Sequence, residues 1–106
     1  ARLLRDAGAS INQAMNCGTT PLLMACQEGR VDIVRLLLEA SAAVEQARHD
    51  GSTPLIIACR MGHLDVARLL LEASAAIDQA CGNGVTPLYI ACQKGHLECA
   101  QLLLEA

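Results

Sequence analysis

The organisation of the chain can be read from one stretch, Gly51-Ser52-Thr53-Pro54-Leu55-Ile56-Ile57-Ala58-Cys59. Its skeleton recurs upstream as Gly18-Thr19-Thr20-Pro21-Leu22-Leu23-Met24-Ala25-Cys26, and downstream as Gly84-Val85-Thr86-Pro87-Leu88-Tyr89-Ile90-Ala91-Cys92. The interval is 33 residues each time, and laying 15–47 over 48–80 gives 19 identities in 33 positions without a gap. A fixed period of this length is the signature of stacked structural repeats, each a supersecondary unit that buries its apolar face only against its neighbours. Residues 81–106 continue the register, and residues 1–14 match the last 14 positions of a unit. The expected division is a C-terminal half unit over 1–14, whole units over 15–47 and 48–80, and a unit lacking its last finger over 81–106.

Each unit explains itself locally. Thr20 is placed to N-cap a helix that opens on Pro21, whose missing N–H costs nothing at the first helical position. The run Leu22 to Glu28 continues that helix until Gly29 ends it in a left-handed conformation. A second helix is expected over about Val31 to Ala40, with Asp32 favourably set against the helix dipole. Its apolar face comes from Val31, Val34, Leu37 and Leu38 at helical spacing, with Ile33 toward the neighbour. From Ser41 to Gly51 the chain is polar apart from Val44, and Asp50-Gly51 signals a turn. The second unit repeats this with Pro54 to Met61 closed by Gly62, and the third with Pro87 to Lys94 closed by Gly95.

Composition excludes several functions. Acidic residues outnumber basic ones, 11 to 8, and no Lys/Arg run occurs, so the electrostatic footprint of a nucleic-acid binder is missing. No stretch approaches the length of a membrane-spanning helix. Hydrophobic residues make up 53%, yet Tyr89 is the only aromatic, so the core must be assembled from Leu, Ile, Val, Ala and Cys in close helix–helix contact. The six cysteines do not read as a disulfide framework. Cys26, Cys59 and Cys92 recur at the repeat interval, and equivalent residues of stacked units sit roughly 8–10 Å apart. That exceeds the reach of a disulfide, about 7 Å between Cα atoms, and also prevents one zinc from binding all three. They are expected to be free, buried, small hydrophobes, and to suit a reducing intracellular compartment, cytoplasmic or nuclear.

The pattern G-x-T-P-L-x-x-A, then Gly-His, then a Leu-rich helix, at this period and over the whole chain, resembles the ankyrin repeat. The resemblance implies an all-α solenoid of stacked helix-turn-helix units with β-turn fingers. Inner helices and fingers would line a concave face, and outer helices a convex back. It implies a non-catalytic module, part of a longer array, that presents a rigid surface to a protein partner and packs against neighbouring repeats of a parent chain. No cofactor, metal, nucleic acid or membrane insertion is implied. An architectural spacer, or a regulatory segment of a larger enzyme or channel, is the alternative.

Three departures from the family pattern stand out. The His usual after Thr-Pro-Leu is Leu23, Ile56 and Tyr89, so apolar contact must replace its hydrogen bonds. The Gly usual after the second helix survives as Gly8 but becomes Ser41 and Ser74; a left-handed serine costs of order 1 kcal/mol. The Asp or Asn usual at the head of the finger is Met15, Arg48 and Cys81, which weakens the turn network. Asn12 keeps an Asn that the family carries late in the finger, where Glu45 and Asp78 stand in the other units.

Nothing converges as a catalytic site. His63 and His96 occupy one station, where the first unit has Arg30; the resemblance implies that they cap and brace the helix–helix turn. Cys99 falls on the station of Ile33 and Val66 and is expected in the core. Cys17 and Cys81 lie in fingers without the basic neighbours that would activate a thiol. The candidate partner-binding residues are therefore the positions that vary between units on the implied concave side. In the fingers they are Asn16, Cys17 and Thr19, then His49, Asp50 and Ser52, then Asn83 and Val85. At the ends of the inner helices they are Gln27 and Glu28, Arg60 and Met61, and Gln93 and Lys94. Arg60 and Met61, in the central unit, are the expected anchors, because energetic hot spots favour the centre of a surface and favour Arg.

Overall fold

The computed structural model describes residues 18–82 and 84–106. The half unit expected over 1–14, together with Met15, Asn16, Cys17 and Asn83, lies outside the described residues. Among those described there are six helices and no strand: α1 Pro21–Glu28, α2 Val31–Glu39, α3 Pro54–Met61, α4 Leu64–Glu72, α5 Pro87–Lys94 and α6 Leu97–Glu105. None is long and apolar enough to cross a membrane.

The local chemistry of the repeat sets these boundaries. Thr20, Thr53 and Thr86 sit in extended backbone, and each hydroxyl accepts the N–H three residues on: Leu23 at 3.2 Å, Ile56 at 3.3 Å and Tyr89 at 3.2 Å. Proline follows each cap at the first helical position. Gly29, Gly62 and Gly95 stop these inner helices at φ 71°, 76° and 74°. The outer helices α2, α4 and α6 start without a side-chain cap but carry Asp32, Asp65 or Glu98 in the first turn. Helix α2 ends at Glu39, one residue short of the expected Ala40, because Ala40 is already its C-cap.

Packing runs in two rows. Inner helix α3 lies between α1 and α5, outer helix α4 lies between α2 and α6, and each inner helix also packs on its own outer helix. Alanines make the close approach possible: Ala25, Ala58 and Ala91 hold one station of the inner row and all are buried. Thus a core with no Phe or Trp still closes. It is most complete in the middle unit, where Pro54 to Cys59 are buried without a break.

Comparing stations separates stacking faces from free surface. Leu23 and Ile56 are fully buried, whereas Tyr89 at the same station is 57% exposed. Cys26 and Cys59 are buried, but Cys92 is exposed, which corrects the expectation of three buried cysteines. Leu97 and Leu104 are exposed as well, while Val31, Leu64, Leu38 and Leu71 are partly buried. These four residues of the third unit share the face that, in the first two units, the next unit covers. Conversely Met24, Ile33 and Leu36 are exposed, although Ile57, Val66, Ile90 and Cys99 at the stations of the first two are buried.

Two of the three departures resolve physically. The finger keeps its turn through backbone bonds instead of an Asp or Asn side chain: Gly51 N donates to Arg48 O at 2.8 Å and Arg48 N to Ser52 O at 3.0 Å. The third unit repeats this with Gly84 to Cys81 O and Cys81 to Val85 O, both at 2.9 Å. Backbone bonds thus close the turn in both units. Ser41 and Ser74 do hold the left-handed turn, at φ 67° and 69°. The amides of Ala42 and Ala75 fold back to Leu37 O and Leu70 O at 3.0 Å, closing the end of each outer helix. Replacing either serine with glycine removes the Cβ penalty but loosens the unfolded chain. Each of Ser41→Gly and Ser74→Gly is expected to raise unfolding free energy by about 0.5–1 kcal/mol in urea titrations; destabilisation by either would contradict this reading.

Candidate functional site

Hydrogen bonds cross between units, and they define where the rigid surface comes from. The first inner helix leaves the carbonyl of Gln27 without a helical donor, since the amide of Val31 turns to Gly29 O at 3.0 Å. His63 of the next unit supplies the donor, Nε2 to Gln27 O at 3.1 Å. His96 does the same one unit on, Nε2 to Arg60 O at 3.0 Å. A carbonyl brings no proton, so Nε2 must carry it in both rings. The rings lie against the helix-ending glycines: a Cβ on Gly29 would come within 2.7 Å of His63, and one on Gly62 within 2.7 Å of His96. Glycine is required there twice over, for its left-handed φ and for the ring that covers it.

His63 and His96 therefore brace a helix–helix turn, as the resemblance implied, but the turn is that of the preceding unit. They make no side-chain bond to their own helices and instead tie each unit to the one before. Sequence reasoning read the loss of the His after Thr-Pro-Leu as a loss of inter-unit hydrogen bonding, and this second histidine restores it. The fingers add two more ties. Gly82 N donates to Asp50 O at 3.2 Å, and Ala76 N donates to Glu45 Oε2 at 2.5 Å. A Cβ on Gly51 would collide with the backbone nitrogen of Gly82, so the fingers approach as closely as glycine permits.

The expected partner-binding residues separate on this frame. Thr19 and Ser52 are buried in the interior of the fingers and are withdrawn from the contact surface, a correction. Ser52 is held there by its own bonds: its N–H donates to Asp50 Oδ1 at 2.9 Å, and its Oγ accepts from Arg60 Nη2 at 3.4 Å. Val85 is partly buried and packs on the core. His49 and Asp50 are exposed at the fingertip, with the His49 ring lying beside Gly18. Gln27 and Arg60 are half-buried, and Glu28, Met61, Gln93 and Lys94 are exposed. Asn16, Cys17 and Asn83 are outside the described residues.

Arg48, Asp50, Ser52 and Arg60 form one polar cluster. Arg48 Nη2 lies 3.4 Å from Asp50 Oδ2. The Ser52 backbone N–H holds the Asp50 carboxyl below its ordinary range, and the charges of Arg48 and Arg60 add to this. The cluster joins the middle finger to the end of α3, so Arg60 is oriented before any partner arrives.

Among the described residues no three His, Cys, Asp or Glu side chains converge as metal ligands. Burial pushes the thiols of Cys26 and Cys59 up to about 12, which keeps them protonated and unreactive. The depressions include open furrows at the seams, such as one of about 310 Å³ lined by Gly29, Val31 and Gly62 to Val66.

The two-row stack and its inter-unit ties agree with what sequence comparison finds. A family model described as ankyrin repeats, three copies, matches residues 1–81 and again 42–106. The chain belongs to the ankyrin-repeat family. No curated protein matches it. Ankyrin repeats are generally protein–protein interaction modules, and within this stack the histidine ties join the end of each inner helix to the unit that follows it. Removing one leaves a half-buried carbonyl without its donor. The variant His63→Ala is expected to lower unfolding free energy by about 1–2 kcal/mol in urea titrations; a loss below about 0.5 kcal/mol would show that the tie contributes little.

Proposed function

We propose that this ankyrin-repeat segment is a non-catalytic protein-binding module that grips its partner along the fingertips and the ends of the inner helices. One observation carries the reading. Most exposed large apolar side chains belong to stacking faces: their equivalents in another unit are buried or half-buried. Met61 is different. It is 45% exposed, and its equivalents Glu28 and Lys94 are exposed too. This station faces solvent whatever stacks on either side, so Met61 is an apolar group on a surface that stacking does not cover. A flexible thioether suits adaptable contact with a partner side chain.

The surroundings support the same site. Arg60 lies next to Met61, pre-oriented by Ser52 and close to Asp50. Glu28, Met61 and Lys94 follow one another along the stack as acidic, apolar and basic. A partner segment matching this line would offer a basic, an apolar and an acidic side chain in order. Rigid presentation keeps the ordering cost of binding low. Lacking an aromatic anchor, the surface draws its energy from the Arg60–Met61 centre and its specificity from the flanking charges.

The test is capture of a partner from cell extract by the chain and by the double variant Arg60→Ala/Met61→Ala. Loss of at least about tenfold in binding is expected, the size of one modest hot spot. The stack should remain folded, since neither residue belongs to the apolar core. Undiminished capture by a folded double variant would reject this surface and favour an architectural spacer.

A further inference from the structure

The charges of the stack are divided unevenly between its two rows. Each outer helix carries acid in its first turn and at its last residue: Asp32 and Glu39 in α2, Asp65 and Glu72 in α4, Glu98 and Glu105 in α6. Against these six stand two bases, Arg35 and Arg68. The inner helices and the middle fingertip, residues 48–52, reverse the balance, with Arg48, Arg60 and Lys94 against Glu28 and Asp50. Salt screens charges beyond about 8–10 Å, so a docking segment feels this local sign more than the net charge of the chain. An acidic segment is repelled by the back and accepted on the inner side.

Arg60 is the best organised charge on that side. Its Nη2 donates to Ser52 Oγ at 3.4 Å, a long contact that orients the guanidinium without saturating it. Among the described residues this is the one hydrogen bond of the side chain, so most of the five N–H donors of the guanidinium are open. Asp50 belongs to the same fingertip, accepting the Ser52 N–H on Oδ1 at 2.9 Å and Arg48 Nη2 on Oδ2 at 3.4 Å. Two guanidinium groups therefore share one carboxylate, and one positive charge is left over. The stations of Arg60 in the flanking units hold Gln27 and Gln93, so this surplus is confined to the middle unit.

We infer that Arg60, supported by the charge of Arg48, binds an acidic side chain of the partner beside the apolar contact at Met61; this rests on the binding surface proposed above. The ligand is a carboxylate and not a phosphate. A carboxylate brings a single charge, which matches the surplus at the fingertip, and it can take two N–H groups of the guanidinium fork in parallel. A phosphoryl group brings about −1.5 to −2 at pH 7. It would meet Asp50, whose side chain is 59% exposed at the same fingertip and whose carboxyl is held below its ordinary range, hence ionised. Asp50 thus favours a singly charged ligand over a doubly charged one, besides holding the Ser52 amide.

The experiment selects peptides from a displayed random library against the whole folded chain. Asp and Glu are expected to be enriched beside an apolar residue, by at least about threefold over the unselected library, the size of an exposed charge pair. The strongest binder is then synthesised with its acid, with the corresponding amide, and with phosphoserine at that position. On the native chain the amide should bind at least about threefold more weakly than the acid. On Arg60→Gln, which installs the residue found at Gln27 and Gln93 and leaves the carbonyl bonded to His96 in place, acid and amide should bind alike. Phosphoserine should bind more weakly than the acid, and Asp50→Asn should erase that difference. Absence of acid enrichment, an amide equal to the acid, or a difference that persists in Arg60→Gln would overturn the inference. If Met61→Ala still weakens the peptide in that case, the binding surface stands without it; if neither Arg60→Gln nor Met61→Ala has an effect, the surface itself is rejected. A phosphoserine peptide that binds more tightly than the acid would overturn the assignment of a carboxylate.

Discussion

The carbonyl of Gln27 has no donor within its own helix, and the ring of His63, 36 residues further on, provides one. That contact, repeated between His96 and Arg60, illustrates the constraint under which the whole chain folds. A pair of helices of eight and nine residues is too short to be stable alone and has apolar side chains on more sides than it can bury. Stability must come from the seams. Leu23, Cys26, Ile56 and Cys59 are buried where the next unit covers them, whereas Tyr89 and Cys92 are exposed. The histidine ties do not supply most of that energy, since burying an apolar side chain is worth about as much as a net hydrogen bond or more, and many are buried. They fix one point of contact between the apolar faces of adjacent units.

Function follows from the same constraint. Because the seams take up the apolar side chains of both stacking faces, the residues exposed in every unit are those that stacking does not use. Glu28, Met61 and Lys94 form such a line, and Arg60 beside them is fixed by Ser52 and the carboxylate of Asp50. A surface held this way keeps its shape when a partner docks. The contact proposed for it is one methionine, one arginine and two flanking charges. On that proposal affinity is modest, and selectivity comes from the order of charges along the stack.

Much of the fold was legible in the sequence because its determinants are local. Thr20-Pro21, the stop at Gly29 and the 33-residue period fix cap, helix and repeat without reference to distant residues, and Ser41 and Ser74 were readable as left-handed by alignment with Gly8. What could not be read depended on neighbours in space. Nothing local distinguishes a histidine that braces its own turn from one that reaches back to the previous unit, so which turn His63 and His96 brace was not legible. Variation between units likewise marks Thr19 and Ser52 as candidates, although the finger turns both inward. Cys92 matches Cys26 and Cys59 in sequence and differs only in what covers it. Only the station comparison, applied to exposure instead of identity, isolates Met61.

If the seams hold the stack, protection from exchange must depend on how many neighbours a unit has. Native-state amide hydrogen exchange across α3 to α6 measures this directly. The account predicts that the amides of α3 and α4, flanked on both sides, exchange only with global unfolding. Those of α5 and α6 should open in a separate event of lower free energy. Equal protection throughout both units, with one common opening energy, would contradict it.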